Sequence, residues 1–300
     1  MRKQRTIQDK IKVSGVGLHT GRRVEIELAP AKENTGVVFY REDKDVEIEL
    51  SPESVVDTQL ATTIGKNGVL IKTVEHLLST LFGLHIDNVF ISLKGEEIPI
   101  MDGSSAPWVY LIRTAGIVEQ NAYKKTIIVK KPIKIKEEGK FAALIPSKEF
   151  EISYSINFNN TFIGKQRMDV VVDEHTFIKE ISKARTFGFL KDIEFLQSHN
   201  LALGGSLDNA VVVDEYGIIN EDPLRYEDEF VRHKILDAIG DLSILGMDIK
   251  GKYIAYKSGH NLNNRLLRKL TSDRTAYEIV SNPSREKSVG DFVWEPQGSI

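Results

Sequence analysis

The feature that most constrains this chain is a pair of apolar stretches, 73-TVEHLLSTLFG-83 and 231-VRHKILDAIGD-241, each carrying a histidine near its start. In the second stretch His233, Asp237 and Asp241 recur every four residues, so on a helix they stack along one face. Ile235, Leu236, Ala238 and Ile239 flank that stripe, which predicts a buried helix whose polar stripe is aimed at something. Aligning His76 with His233 superposes Val74 on Val231, Leu78 on Ile235 and Phe82-Gly83 on Ile239-Gly240. The repeat is faint. Its physical reading is two similar layered units whose equivalent helices face each other across a cleft, bringing His76 beside His233.

The pattern along the chain fits that reading. Alternation at 11–13, 24–28, 37–40 and 46–50 predicts strands, and Lys66-Asn67-Gly68 between two apolar runs predicts a hairpin. A helix over 73–82 with Thr73 as its N-cap, a strand over 87–94 and a helix over 109–115 follow. Around 117–125 the pattern stops and the composition turns polar, which sets a boundary near residue 122. Strands resume at 126–129, 133–135, 141–145, 151–156 and 168–172, followed by a helix over 174–185 and a less regular segment over 190–224. The His233 helix is expected over 227–245, then a strand at 252–256, a loop holding His260, and a basic helix from about 262. The fold class expected is α+β, with two similar layered α/β sandwich domains (1–122 and 123–280), sheets packed on helices and the active site at their interface. Residues 281–300 read as a loose tail.

Composition removes several function classes. A net charge of −3 gives no nucleic-acid footprint, and the basic clusters at Lys124-Lys125, Lys130-Lys131 and Arg265-Arg268-Lys269 read first as solvated faces. With no cysteine there are no disulfides or thiolate metal sites, so a zinc site here must use histidine and carboxylate. The N-terminus has no apolar signal core and no run of 18 apolar residues occurs, so a cytoplasmic chain is expected, meeting a membrane only from its surface.

A His and an Asp four apart are, taken alone, more often a hydrogen-bonded surface pair than a metal site. The second histidine changes that. His76, His233 and Asp237 together offer two imidazoles and one carboxylate, which leaves a fourth position on zinc open for water. Zinc would bring that water's pKa to about 7 and polarise a carbonyl. Glu75, next to a ligand, is the candidate general base, and His260 the acid that protonates a departing amine, with Asp241 orienting it. Lys234 or the Thr186 hydroxyl can stabilise an oxyanion. His19, in the glycine-rich loop 15-GVGLHTG-21, reads first as a solvent-exposed turn residue, and His85, His175 and His199 as loop or helix-end histidines. Asp102-Gly103-Ser104-Ser105 is a turn, since no G-x-S-x-G elbow accompanies it. The rival readings are a different zinc amidase or peptidase, against which stands the lack of H-E-x-x-H, and a metal-free module binding a nucleotide sugar or lipid.

The segments GVGLHTG, TVEHLLSTL, PIMDGSS, ARTFGF, GGSLDN, VRHKILDAIGD and SGHNLN, in order from about residue 5 to 275, resemble the zinc-dependent UDP-3-O-acyl-N-acetylglucosamine deacetylases of lipid A synthesis. The resemblance implies that His76, His233 and Asp237 hold the metal, zinc or iron(II), and that Glu75 activates water. It implies that His260, paired with Asp241, acts as acid while Thr186 and Lys234 help the tetrahedral intermediate. Phe187 would lie near the sugar or acyl chain, residues 188–213 would form an acyl passage, and Phe158 would stack on uracil. The partner implied is UDP-3-O-acyl-N-acetylglucosamine, with no nucleic acid and with peripheral contact to the inner membrane; a monomer is expected. No dehydratase-like region follows, as the fused bifunctional relatives would have, and 281–300 matches nothing in the family pattern.

Overall fold

The computed structural model describes residues 2–159 and 162–281, so the tail expected over 281–300 lies, apart from Ser281, outside the described residues. Among these the fold is mixed α+β, with several sheets and six helices. The first strands are β1 (Lys3–Ile7), β2 (Ile11–Val16), β3 (Arg23–Pro30), β4 (Val37–Arg41) and β5 (Val46–Glu49). β3 shows why they form: Val24, Ile26 and Leu28 are buried, while Arg23 and Glu25 between them face solvent. A small separate sheet follows, made of β6 (Val55–Asp57), β7 (Thr63–Lys66) and β8 (Val69–Ile71). The β7–β8 turn is Asn67-Gly68 with φ of 54° and 80°, the left-handed pair that a two-residue hairpin requires. Then come α1 (Glu75–Gly83), β9 (Val89–Lys94), α2 (Ala106–Ala115) and β10 (Ile117–Tyr123).

The rest of the chain runs β11 (Thr126–Val129), β12 (Ile133–Glu137), β13 (Lys140–Ile145), β14 (Phe150–Asn157), β15 (Lys165–Val171) and the short α3 (Glu174–Thr176). It continues through β16 (Phe187–Phe189), α4 (Leu190–Ser198), β17 (Val211–Val213) and α5 (Glu229–Ser243). It ends in β18 (Asp248–Tyr256), α6 (His260–Ser272) and β19 (Tyr277–Val280).

The faint sequence repeat is a repeat of topology. The first sheet is ordered β2-β3-β9-β4-β5, with β9 antiparallel to β3 and parallel to β4. In the second, β12-β13-β18-β14-β15 follow in the same order, with β18 antiparallel to β13 and parallel to β14. β1 pairs antiparallel with β10, and β11 does the same with β19. In both halves the strand after the histidine-bearing helix is the middle of that five-strand order.

α5 lies over β14 and β15, α6 over β12 and β13, and α1 packs directly on α5. Leu77, Leu78 and Leu81 of α1 and Ile235, Leu236 and Ile239 of α5 are at most 1% exposed. Each such side chain contributes roughly 1.5–3 kcal/mol of transfer free energy. The close approach needs Gly240, where a Cβ would stand 2.1 Å from the Glu75 carbonyl oxygen. The two helices therefore meet at the residues expected to do chemistry.

Several local expectations change. Thr73 does not cap α1: it has φ 57° and its hydroxyl donates to Glu97 Oε1 (2.9 Å), leaving Val74 at the N-cap without a side-chain bond. The polar stretch 117–125 holds a strand, β10, which buries no residue fully and is ordered by backbone pairing with β1 rather than by an apolar face. The helix expected over 174–185 is only α3 and a π-helical turn at Phe177–Ile181. It stops there because the Arg185 N–H is taken by Glu229 Oε1 (2.9 Å) and the Ala184 carbonyl by His233. The irregular segment contains α4, and α2 begins three residues earlier than expected, with Pro107 in its first turn.

Candidate metal centre and active site

α5 presents His233, Asp237 and Asp241 on one face, all buried, and the first turn of α1 presents Glu75 and His76, also buried. The rings of His76 and His233 meet edge to face with centroids 5.0 Å apart. Asp237 Oδ1 is 3.5 Å from His76 Nε2 and 3.3 Å from His233 Nε2. One ligating atom from each of the three residues lies within 4.8 Å of the others. Four bonds of 2.0–2.1 Å around a tetrahedral zinc place donors about 3.3 Å apart, so the observed spacings suit such an ion.

Two further observations test that fit. Asp237 Oδ1 and His76 Nδ1 are buried without a hydrogen-bond partner, an expensive arrangement unless something else engages the cluster. His233 Nδ1 lies 3.1 Å from the Ala184 carbonyl oxygen, which accepts its proton and leaves the Nε2 lone pair free toward Asp237. Burial lowers the His233 pKa to about 4 against the pull of Asp237, so the ring is neutral, as a ligand must be. Burial alone would raise Asp237, but His233, Lys234 and His76 outweigh it and hold the carboxyl well below its ordinary range. The donor set fits a divalent ion.

Beside this cluster stand two buried titratable side chains, Glu75 and His260. Burial raises the Glu75 pKa, with His260 and His76 pulling the other way, and Glu75 Oε2 accepts the Thr62 backbone N–H at 3.0 Å. His260 Nε2 is 3.8 Å from Glu75 Oε1, and its Nδ1 donates to Asp241 Oδ2 at 2.8 Å. Burial disfavours the imidazolium, yet Asp241, then Glu75 and Asp237, lift its pKa to about 9. His260 is therefore a charged donor near neutral pH. It does not sit in a loose loop: it is the first residue of α6, 9% exposed, fixed by the helix and by Asp241.

A cavity of about 620 Å³ opens over these groups. The structure brings to its wall every sequence-predicted site residue except Asp241, which stands behind His260. Lys234 Nζ donates to Asp237 Oδ2 at 2.6 Å, and Thr186 is held by backbone bonds to Gly103 and Val211. Phe187 packs edge to face on Phe230 (5.0 Å between centroids) and on Phe158 (5.7 Å), so the two aromatic candidates are neighbours.

Some wall residues were not legible as such. His19 is buried rather than solvent-exposed, because Glu97 accepts the N–H groups of His19 and Thr20 (2.8 Å each) and ties the glycine-rich loop down. Nothing in the sequence links Glu97 to that loop, since its partners there are backbone N–H groups. Lys140 and Lys257 also line the cavity. Strand register puts them at one sheet end, Lys140 beginning β13 and Lys257 directly after β18, next to the end of β14 that Phe158 follows. His85, His175 and His199 stand away from the cavity wall.

A buried pair of imidazoles and a carboxylate, with a second carboxylate and a charged histidine within reach, is the equipment of a metal-dependent hydrolase. Comparison with known proteins narrows the class. A family model described as UDP-3-O-acyl N-acetylglycosamine deacetylase matches residues 4–272. A UDP-3-O-acyl-N-acetylglucosamine deacetylase of Nitrosococcus oceani is 54% identical over 285 residues, 94% of either chain. Those of Hahella chejuensis and Saccharophagus degradans are each 52% identical over the same share. The chain belongs to the UDP-3-O-acyl N-acetylglycosamine deacetylase family.

Proposed function

We propose that this protein removes the N-acetyl group from UDP-3-O-acyl-N-acetylglucosamine by hydrolysis, releasing acetate and a free amine, the committed step of lipid A biosynthesis. One observation carries the reading: the buried Asp237 oxygen without a hydrogen-bond partner is flanked by two imidazoles, and Asp237 lines the same cavity as Glu75 and His260. His76, His233 and Asp237 would hold zinc, or iron(II), whose bound form lowers the pKa of water to about 7 and polarises a carbonyl.

The residues of the chain do the rest. Glu75, its pKa raised by burial, takes a proton from the attacking water. Thr186 and Lys234 donate to the oxyanion of the tetrahedral intermediate. His260 gives its proton to the departing nitrogen as the C–N bond breaks, with Asp241 holding its other nitrogen. Phe187 borders the sugar or the acyl chain, Phe158 stacks on uracil, and Lys140 and Lys257 at the same sheet end offer two cations for the diphosphate. Residues 188–213 form the acyl passage, in keeping with the half-buried Ile193 and Leu196 of α4.

The repeated strand order supports a division into two sandwich domains near residue 122 with the site between them. No helix among the described residues is long and apolar enough to cross a membrane. We place the enzyme in the cytoplasm as a monomer that meets the inner membrane peripherally.

The test is acetate release from UDP-3-O-acyl-N-acetylglucosamine by wild type and Glu75→Ala, with metal assayed in both. Expected is turnover by the wild type and a loss of about 10²–10⁴-fold in the variant with metal retained. Metal-loaded wild type that binds substrate but releases no acetate would replace this reading with a binding module.

A further inference from the structure

Two buried residues outside the set assigned above converge on Asp241. Thr62, between β6 and β7, is 2% exposed, and Asn263, in the first turn of α6, is 1% exposed. The Thr62 hydroxyl donates to Asp241 Oδ1 at 2.6 Å. Its backbone N–H donates to Glu75 Oε2 at 3.0 Å, and its carbonyl accepts the Val74 N–H at 3.2 Å. One residue of the first half thus touches both Glu75 and the partner of His260. Asn263 Nδ2 donates to Asp241 Oδ2 at 2.7 Å, the oxygen that also accepts His260 Nδ1 at 2.8 Å.

The Asn263 amide has one usable orientation. Its oxygen accepts the Ser258 hydroxyl at 2.8 Å and the Tyr253 phenol, and the Ser258 carbonyl accepts the Tyr154 phenol at 2.7 Å. Burial raises both phenols well above their ordinary value of 10.0, so both remain donors. Asp241 only accepts, so Asn263 must turn its NH₂ toward it, and the two hydroxyls, which can donate, are left to its oxygen. The carboxylate therefore carries three donors from three different segments: Thr62, Asn263 and His260.

We infer that Thr62 and Asn263 are positioning residues for proton delivery: by sharing the Asp241 carboxylate with His260 they hold it against Nδ1 and limit how tightly it retains the His260 proton. This rests on the proposed role of His260 as general acid. The charged and titratable groups facing His260 are Asp241 and Asp237 from α5, Glu75 from α1 and His19 from the glycine-rich loop. All three carboxylates favour the imidazolium, and an acid that holds its proton too tightly delivers it poorly near neutral pH. Neutral donors on Asp241 spread its charge and weaken its hold on the imidazole. Replacing Asp241 itself acts in the opposite direction.

The experiment uses zinc-loaded wild type, Thr62→Val, Thr62→Ser, Asn263→Leu and Asp241→Asn. It reads kcat and KM for acetate release against pH, and the His260 titration midpoint by ¹⁵N NMR. Thr62→Val is nearly isosteric and keeps both backbone bonds. Expected for it are unchanged KM, a kcat at pH 7 lowered by roughly 3–10-fold, and a His260 midpoint and basic limb moved up by about half a pH unit. Asn263→Leu moves both the same way, Thr62→Ser restores the wild-type profile, and Asp241→Asn moves both down. Midpoints unchanged or lowered in Thr62→Val and Asn263→Leu overturn the inference, because loss of structure alone would mimic Asp241→Asn. Wild type that releases no acetate at any pH defeats the deacetylase reading instead, and the NMR midpoints still decide the role of Thr62 and Asn263.

Discussion

The two halves of the molecule share a strand order but not a workload. β2-β3-β9-β4-β5 and β12-β13-β18-β14-β15 are built alike, and each feeds its middle strand from a histidine-bearing helix. Yet α1 contributes only Glu75 and His76, whereas α5 contributes His233, Asp237 and Asp241, and α6 begins with His260. The corresponding helix of the first half, α2, begins with Ala106-Pro107 and carries none of these site groups. Duplicating a scaffold duplicates its core, because every strand of each copy must bury one face. It does not duplicate chemistry, since a single cluster at the junction suffices. Beyond wall residues such as His19, the first half contributes hydrogen bonds from Thr62 and Glu97 that hold groups of the site in place.

If the site is shared, removing a donor from either half should cost the same thing. His76→Ala and His233→Ala are each expected to lower metal affinity by more than about 100-fold and to abolish acetate release, as read by metal analysis and turnover. A variant that keeps full metal would assign the centre to one half alone. Next in size is Gly240→Ala, whose methyl would press on the Glu75 carbonyl and force α1 from α5. Expected are a loss of about 1–3 kcal/mol in denaturant unfolding and a larger loss of kcat than a control at Ala238. Equal losses in both would mean that the helix contact matters for stability only.

The pH profile sharpens the division of labour. As the proposed acid, His260 acts protonated, and its pKa of about 9 lies above the ordinary 6.5, so activity is expected to hold below that range and fall as pH rises through about 9. As the proposed base, Glu75 acts ionised and its pKa is raised by burial, so activity is expected to fall as pH drops through it. In Asp241→Asn the basic limb should fall back toward 6.5. A limb that stays near 9 would remove Asp241 from the mechanism. The smallest effect is at Arg2, which bridges Asp87 of the first half (2.5 Å) and Asp248 of the second (2.8 Å) far from the cavity. Arg2→Ala should cost about 1 kcal/mol of stability and leave kcat/KM unchanged.

What the sequence revealed follows the same line. Strands with one buried face and helices with one buried stripe were legible because periodicity records burial, as in β3 and α5. The alignment of His76 with His233 was legible because both helices bury the same kind of face against each other. α4 was not: none of its residues is buried, so no stripe marks it. β10 was missed for the same reason, and Thr73 misled because a β-branched residue in a left-handed conformation looks like a cap in sequence. The candidate metal ligands and candidate proton carriers, His76, His233, Asp237, Glu75 and His260, could be named from residue type and spacing, and the fold gathers them at one cavity. Thr62, Asn263 and Glu97 could not, since their roles depend on contacts made across the fold.

The central claim is that one metal is held jointly by α1 and α5. Anomalous diffraction from crystals of the purified protein, collected at the zinc and iron edges, tests it most directly. The expected result is a single peak about 2.0–2.2 Å from His76, His233 and Asp237 together. A peak bound by residues of one half only, or no peak in protein that releases acetate, would contradict it.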